Sequence, residues 1–253
     1  MTRNLKILVL ALIAVLAASV VASSVTQATD DTPEFTAGKD TKGADQKIHL
    51  TGSGTDESFH SFGVTGTCDI TAYGPNPATV TVPAKSLTIK PYHKLCTLPK
   101  VKTEAVTVVT NKCGFRFNVT NTAKDGGGQP IPDTYNATMD IECENANEAF
   151  ELKVWLEGND PGGTHENAPS CISKVTAQTG RPGVTIKVNT QAGARHDLKI
   201  SGTVKNIHVH QVRNSAMCPL GTTTATAEYT FPAAGATLEA STEGGEDIDL
   251  WID

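Results

Sequence analysis

Apolar and polar residues alternate one for one through much of this chain. At 113–120, Phe115, Phe117 and Val119 share one parity, while Arg116, Asn118 and Thr120 share the other. A period of two marks a strand with one face on a core and one in water. The same pattern sets Tyr135, Ala137, Met139 and Ile141 against Thr134, Asn136, Thr138, Asp140 and Glu142. It recurs with Val184, Ile186 and Val188, and again with Ala225, Ala227, Tyr229 and Phe231. The pattern predicts strands at 47–51, 60–72, 79–90 (broken by Pro83), 104–110, 113–120 and 134–142. Further strands are predicted at 149–156, 171–178, 184–189, 196–204, 207–212 and 222–231.

One wet face per strand favours antiparallel pairing. Twelve short strands with turn chemistry between them predict an all-β fold, a sandwich or barrel, of which an antiparallel β-sandwich is the expectation. The turns are YGPNP at 73–77, KDGGGQP at 124–130, GNDPGG at 158–163 and TGRPG at 179–183, rich in residues that accept a positive φ or preset a turn.

The two ends depart from the alternation. Arg3 and Lys6 precede an apolar run from Ile7 to Ala22 that closes in small residues, the layout of a signal peptide spanning 1–28 and cleaved after Ala28, with Ala22 as another candidate. The run is short and basic-flanked, unlike a membrane span, and no second span follows. Residues 29–46 are polar and read as a flexible leader. The β region then covers 47–232, and 233–253, ending STEGGEDIDLWID, reads as an acidic, solvated tail, with a partner-binding tail anchored by Ile248, Leu250, Trp251 and Ile252 as the rival. The formal charge of −6 becomes −8 once Arg3 and Lys6 are removed, which argues against nucleic acid or an anionic membrane as partner.

Six cysteines, Cys68, Cys96, Cys113, Cys143, Cys171 and Cys218, all follow the leader. An even number in an exported chain implies a disulfide framework, and none are spaced as zinc ligands. A faint internal repeat links Cys68, Leu87 and Cys96 with Cys171, Leu198 and Cys218, which would give two similar β units divided near residue 145.

The words I-H-L-T-G at 48–52, T-G-T-C ending at Cys68, L-T-I-K-P-Y before Cys96, C-G-F-R-F at 113–117, D-I-E-C at 140–143, P-S-C at 169–171, A-Q-T-G at 177–180 and C-P-L-G at 218–221 carry a resemblance. Over about 47–232 the chain resembles an uncharacterised group of secreted six-cysteine all-β proteins of soil actinobacteria. That resemblance implies export and all-β structure and supplies no catalytic residue. For the pairing, Cys96–Cys113 and Cys143–Cys171 each bracket one strand-to-strand excursion, leaving Cys68–Cys218 to tie the ends. The first would close a loop of about 18 residues and stabilise by about 3 kcal/mol. The repeat instead pairs Cys68–Cys96, Cys113–Cys143 and Cys171–Cys218.

Catalytic signatures are missing: there is no G-x-S-x-G and no P-loop, and His165-Glu166-Asn167-Ala168-Pro169 puts proline where a zincin needs its second histidine. His208 and His210, two apart on a strand, would lie on one face about 6.5–7 Å apart and could share a metal. The parity change between Val204 and Ile207 predicts a bulge near Asn206 that keeps both outward. A metal would still need ligands from His60, His93, His196 or an acid. Trp155 shares a parity with Glu151, Lys153 and Glu157, which sets its ring among charges, suited to stacking on a sugar or anchoring a protein, unless the tail or a neighbouring loop covers it. Asn118 and Asn136 match the glycosylation pattern, a chance match in a bacterium.

These features point to a secreted, extracellular, non-catalytic protein with a binding or envelope role and no cofactor. An extracellular glycan or an envelope protein is its expected partner, through Trp155, Glu151 and Lys153. The alternative is a secreted hydrolase or metal-binding protein using scattered carboxylates or His208 and His210.

Overall fold

The computed structural model describes residues 33–38, 46–71, 78–99, 101–157, 168–190, 195–213, 218 and 223–253. Residues 32–253 form one compact unit. The signal-peptide reading of 1–28 and the turns at 73–77 and 158–163 lie outside the described residues.

The described chain is all-β, with antiparallel pairing throughout and no helix. Its first eight strands are β1 (Phe35–Gly38), β2 (Gln46–Ser61), β3 (Val64–Thr71), β4 (Ala78–Val82), β5 (Ser86–Ile89), β6 (Tyr92–Thr97), β7 (Thr103–Val109) and β8 (Cys113–Lys124). Then come β9 (Pro130–Cys143), β10 (Phe150–Leu156), β11 (Cys171–Val175), β12 (Gln178–Thr190), β13 (His196–Arg213), β14 (Thr223–Thr230), β15 (Ala236–Thr242) and β16 (Asp247–Ile252).

Two long strands organise the rest, because each changes partners along its length. The first half of β2 pairs with β4 and β15, and its second half with β3 and β14. The first half of β13 pairs with β12 and β15, and its second half with β14 and β11. The pairings therefore divide into two runs with β2 and β13 common to both. One is β4-β2-β15-β13-β12-β9-β8-β5, with β16 and then β1 added beside β15. The other is β6-β3-β2-β14-β13-β11-β10-β7.

The change of partner has a local cause in each strand. Register shifts fall between Gly54 and Glu57 in β2 and between Val204 and Ile207 in β13. Each shift contains a left-handed residue, Asp56 (φ 57°) and Asn206 (φ 59°), the two residue types that tolerate this conformation best after glycine. In β2 the buried set passes from Ile48, Leu50 and Gly54 to Glu57 and Ser61. In β13 it passes from Leu198, Ile200 and Val204 to Ile207, Val209 and Gln211. Each strand has two consecutive exposed residues where alternation would have one, and that single extra residue flips the parity, as a bulge does.

TGRPG is not a turn but a bulged part of β12, with register shifts on both sides of Arg181–Pro182. Gly183 (φ 109°) lies one place off register from Gly202 (φ 110°), which pairs with Val184, and a Cβ on either glycine would stand 2.1 Å from a carbonyl oxygen of the other strand. The 124–130 turn is as expected, with Asp125 Oδ1 accepting from the amides of Gly127 and Gln129.

Three sequence expectations need correction. The leader contains β1, whose four residues are buried against β16 and beside Ala84. The acidic tail is β15 and β16, with Leu238, Ala240, Ile248, Leu250 and Ile252 in the core; β15 sits between β2 and β13. The disulfides are Cys68–Cys96, Cys113–Cys143 and Cys171–Cys218. Cys113 and Cys143 are cross-strand partners in the β8–β9 ladder, with Cα atoms 4.0 Å apart. They bridge a hairpin rather than bracket an excursion. The bonds match the repeat-based pairing, yet strand pairing crosses residue 145 at β9–β12 and β2–β14, so the chain is not divided there.

Candidate functional site

The functional residues expected from sequence are dispersed. Trp155 is 6 % exposed. It stands in β10 opposite Ala105 of β7, one residue past the end of the β10–β11 ladder, and both faces are covered there, so the covered alternative holds and the exposed ring that parity gave does not. Its companions Glu151 and Lys153 are partly buried. Glu151 holds ion pairs with Lys153 and Lys174, and those cations offset burial and keep its carboxyl below the usual range. His208 and His210 are exposed on β13 beyond the bulge, opposite Thr226 and Thr224 of β14. No group of three or more His, Cys, Asp or Glu side chains among the described residues is arranged to hold a metal.

A different constellation stands inside. A cavity of about 100 Å³ lies where the second run of strands faces β8 and β9, and its walls are almost wholly apolar. Phe115, Met139, Phe150, Val209 and Ala227 are among the residues that line it, and Glu57, His93 and Tyr229 intrude. Glu57 is 1 % exposed and His93 is 9 % exposed. The bulge at Thr55–Asp56 is what turns Glu57 inward, into the place where β13 sets Ile207. His93 is the inward residue of β6 opposite Ile70, and its ring meets Phe115, Phe150 and Tyr229 edge-on at 6.3–6.4 Å.

The three groups are chained by hydrogen bonds. The Tyr229 hydroxyl donates to Glu57 Oε2, and His93 Nε2 lies 3.4 Å from the Tyr229 hydroxyl. Glu57 Oε1 and His93 Nδ1, together with Ser61 Oγ and Gln211 Oε1 nearby, find no hydrogen-bond partner among the described residues. Burial pushes the Glu57 carboxyl up to about 8 and the His93 imidazole down to about 4. Both groups are therefore neutral near pH 7, the form that burial in apolar surroundings favours.

Other buried acids contrast with Glu57. Asp140 accepts from Gly180 N at 2.6 Å, Arg116 Nη2 at 2.6 Å and Asn118 Nδ2 at 3.0 Å. Burial raises its pKa, but these donors outweigh that and hold the carboxyl low. Asp197 accepts from Asn189. These carboxylates brace strands.

A second cavity of about 70 Å³ adjoins the first, sharing Phe59, Ser61, Leu152 and Ser173 as lining, and it reaches Gln211 and the Cys171–Cys218 bond. Sequence reasoning placed Tyr229 inward, a signal that its hydroxyl needs a buried partner. It had no means of finding Glu57, whose inward turn depends on a bulge inside a polar stretch. No protein-family model, curated protein or solved structure matches the chain.

Proposed function

We propose that this is an exported, non-catalytic binding protein of the cell exterior or envelope that takes a small, largely apolar molecule into the cavity around Tyr229. One observation carries the reading: a cavity of about 100 Å³ with almost wholly apolar walls, whose lining residues include the linked Glu57, His93 and Tyr229. A well-formed apolar pocket with a few convergent polar groups is the usual form of a small-molecule site. Three disulfides suit an oxidising exterior, and no described helix is long and apolar enough to cross a membrane. The expected working face around Trp155, Glu151 and Lys153 gives way to this interior site.

A hydrolase is the second reading, favoured by the raised pKa of Glu57, as perturbed acids cluster at catalytic sites. It needs an activated nucleophile, and Ser61 Oγ and His93 Nδ1 are each unpartnered rather than joined to one another. Binding without turnover therefore fits the geometry better.

The test is a titration of the purified protein with benzene, followed by backbone amide NMR. Saturable shifts confined to the lining strands, and lost in Ala227→Leu, support the reading. No saturable shift overturns it.

A further inference from the structure

The residues lining the two cavities follow one order along four strands. On β10, Phe150 lines the first cavity, Leu152 lines both, and Val154 and Leu156 line the second. β11 runs the other way and repeats the order, with Val175, then Ser173, then Cys171. On β13, Val209 belongs to the first and Gln211 to the second; on β2, Glu57 belongs to the first, and Phe59 and Ser61 belong to both. The cavities therefore stand end to end along the strands, the second reaching Leu98 and Val101 in the link from β6 to β7. From Phe150 to Leu156 the strand advances about 20 Å, at ~3.3 Å per residue.

Two side chains part the cavities. In the run β6-β3-β2-β14-β13-β11-β10-β7 the end strands β6 and β7 lie side by side, so β2 and β10 form opposite walls, and Phe59 and Leu152 come from those walls. Phe59 is folded back onto its cross-strand partner Gly66. A Cβ at Gly66 would stand 2.3 Å from Phe59 Cε1 and 2.8 Å from Leu98 Cδ2. Glycine at this place lets the ring lie against β3 instead of standing across the passage towards Leu152.

On the footing that the first cavity is a binding site, we infer that the ligand is longer than it is wide: an apolar molecule with an unbranched alkyl chain. Its bulkier end occupies the first cavity, and the chain passes between Phe59 and Leu152 into the second. The volumes set the proportions. The first cavity, about 100 Å³, compares with the ~150 Å³ apolar cavity known to hold benzene, so it takes one ring or a short chain. The second adds about 70 Å³ in line with it, which only a slender continuation of the same molecule can fill.

The test is calorimetry of the purified protein with toluene, ethylbenzene, n-propylbenzene, n-butylbenzene and tert-butylbenzene. Each methylene added in the straight series is expected to tighten binding about fourfold, the equivalent of ~0.8 kcal/mol per buried CH₂. tert-Butylbenzene, with the carbon count of n-butylbenzene in a wider body, is expected not to bind measurably. Gly66→Ala displaces the Phe59 ring towards Leu152, and Val101→Phe fills the second cavity from its far end. Each should leave toluene binding unchanged and abolish the gain with chain length. A straight series without gain, or a gain that persists in both variants, overturns the chain and leaves the apolar-binding reading standing. tert-Butylbenzene binding as tightly as n-butylbenzene overturns it in the same way. No binding by any probe overturns both.

Discussion

Tyr229 and Glu57 stand 172 residues apart in the chain and are joined inside an apolar cavity, the phenol donating to a carboxyl that burial holds neutral. The bond satisfies half of a buried acid. Tyr229→Phe removes it at little change of volume and leaves Glu57 Oε2 and His93 Nε2 without partners. A loss of about 1–3 kcal/mol is expected, read as a fall in Tm of roughly 2–4 °C per kcal/mol for a chain of this size. Glu57→Gln, which keeps a neutral group in place, should cost less than Tyr229→Phe in the same calorimetric series. The reverse order would remove the bond from the account of stability.

Glu57 and His93 together predict an unusual stability profile. Glu57 moves from 4.5 to about 8 on folding, so the folded state holds a proton that the unfolded chain sheds, and stability falls as pH rises from 4.5 to 8. His93 moves from 6.5 to about 4, so the unfolded chain takes up a proton that the folded state refuses, and stability falls as pH drops from 6.5 to 4. Between 4.5 and 6.5 the two slopes oppose one another, giving a plateau. Above it Glu57 acts alone, and about 2 kcal/mol should be lost between pH 6.5 and 8 at ~1.36 kcal/mol per unit. Urea midpoints measured across that range check this, and Glu57→Gln should flatten the alkaline limb.

The acidic C-terminal stretch is a structural element, and its removal should show it. A chain ended at Pro232 loses β15 from between β2 and β13, and with it the burial of Leu238, Ala240, Ile248, Leu250 and Ile252. Two main-chain ladders and five core side chains exceed the margin of a typical domain. The truncated chain is expected to lack near-ultraviolet circular dichroism and cooperative unfolding. A cooperative transition near that of the full chain would contradict the sheet order.

Peptide mapping of the unreduced protein should recover Cys68–Cys96, Cys113–Cys143 and Cys171–Cys218 and no crossed pair. Replacing both members of the Cys113–Cys143 pair by serine should cost about 3.5 kcal/mol on the chain-entropy model for a loop of this length.

Alternation carried much of the fold because most strands have one covered face. The bulge at Asn206 was legible since Ile200, Val204, Ile207 and Val209 change parity in plain view. Its counterpart at Thr55–Asp56 was hidden, because GSGTDES offers no apolar residue on either side to show the flip. β16 has the same regular pattern, Ile248, Leu250 and Ile252 against Asp247, Asp249 and Trp251, but acidic composition outweighed it in the reading. Trp155 failed for the opposite reason, because period two cannot report that a strand is covered on both sides. The site itself joins Glu57, His93 and Tyr229 from three distant strands, and such assemblies leave no local word in a sequence.

Because β2 and β13 belong to both runs of strands, the walls of the cavity are stitched by continuous chain. Sliding one run across the other would require unzipping main-chain ladders on both halves of the same two strands. The chamber therefore cannot widen by a shear of layers to suit a larger guest. Size discrimination should be steep: in a series of substituted benzenes of growing girth, affinity would end abruptly rather than fade.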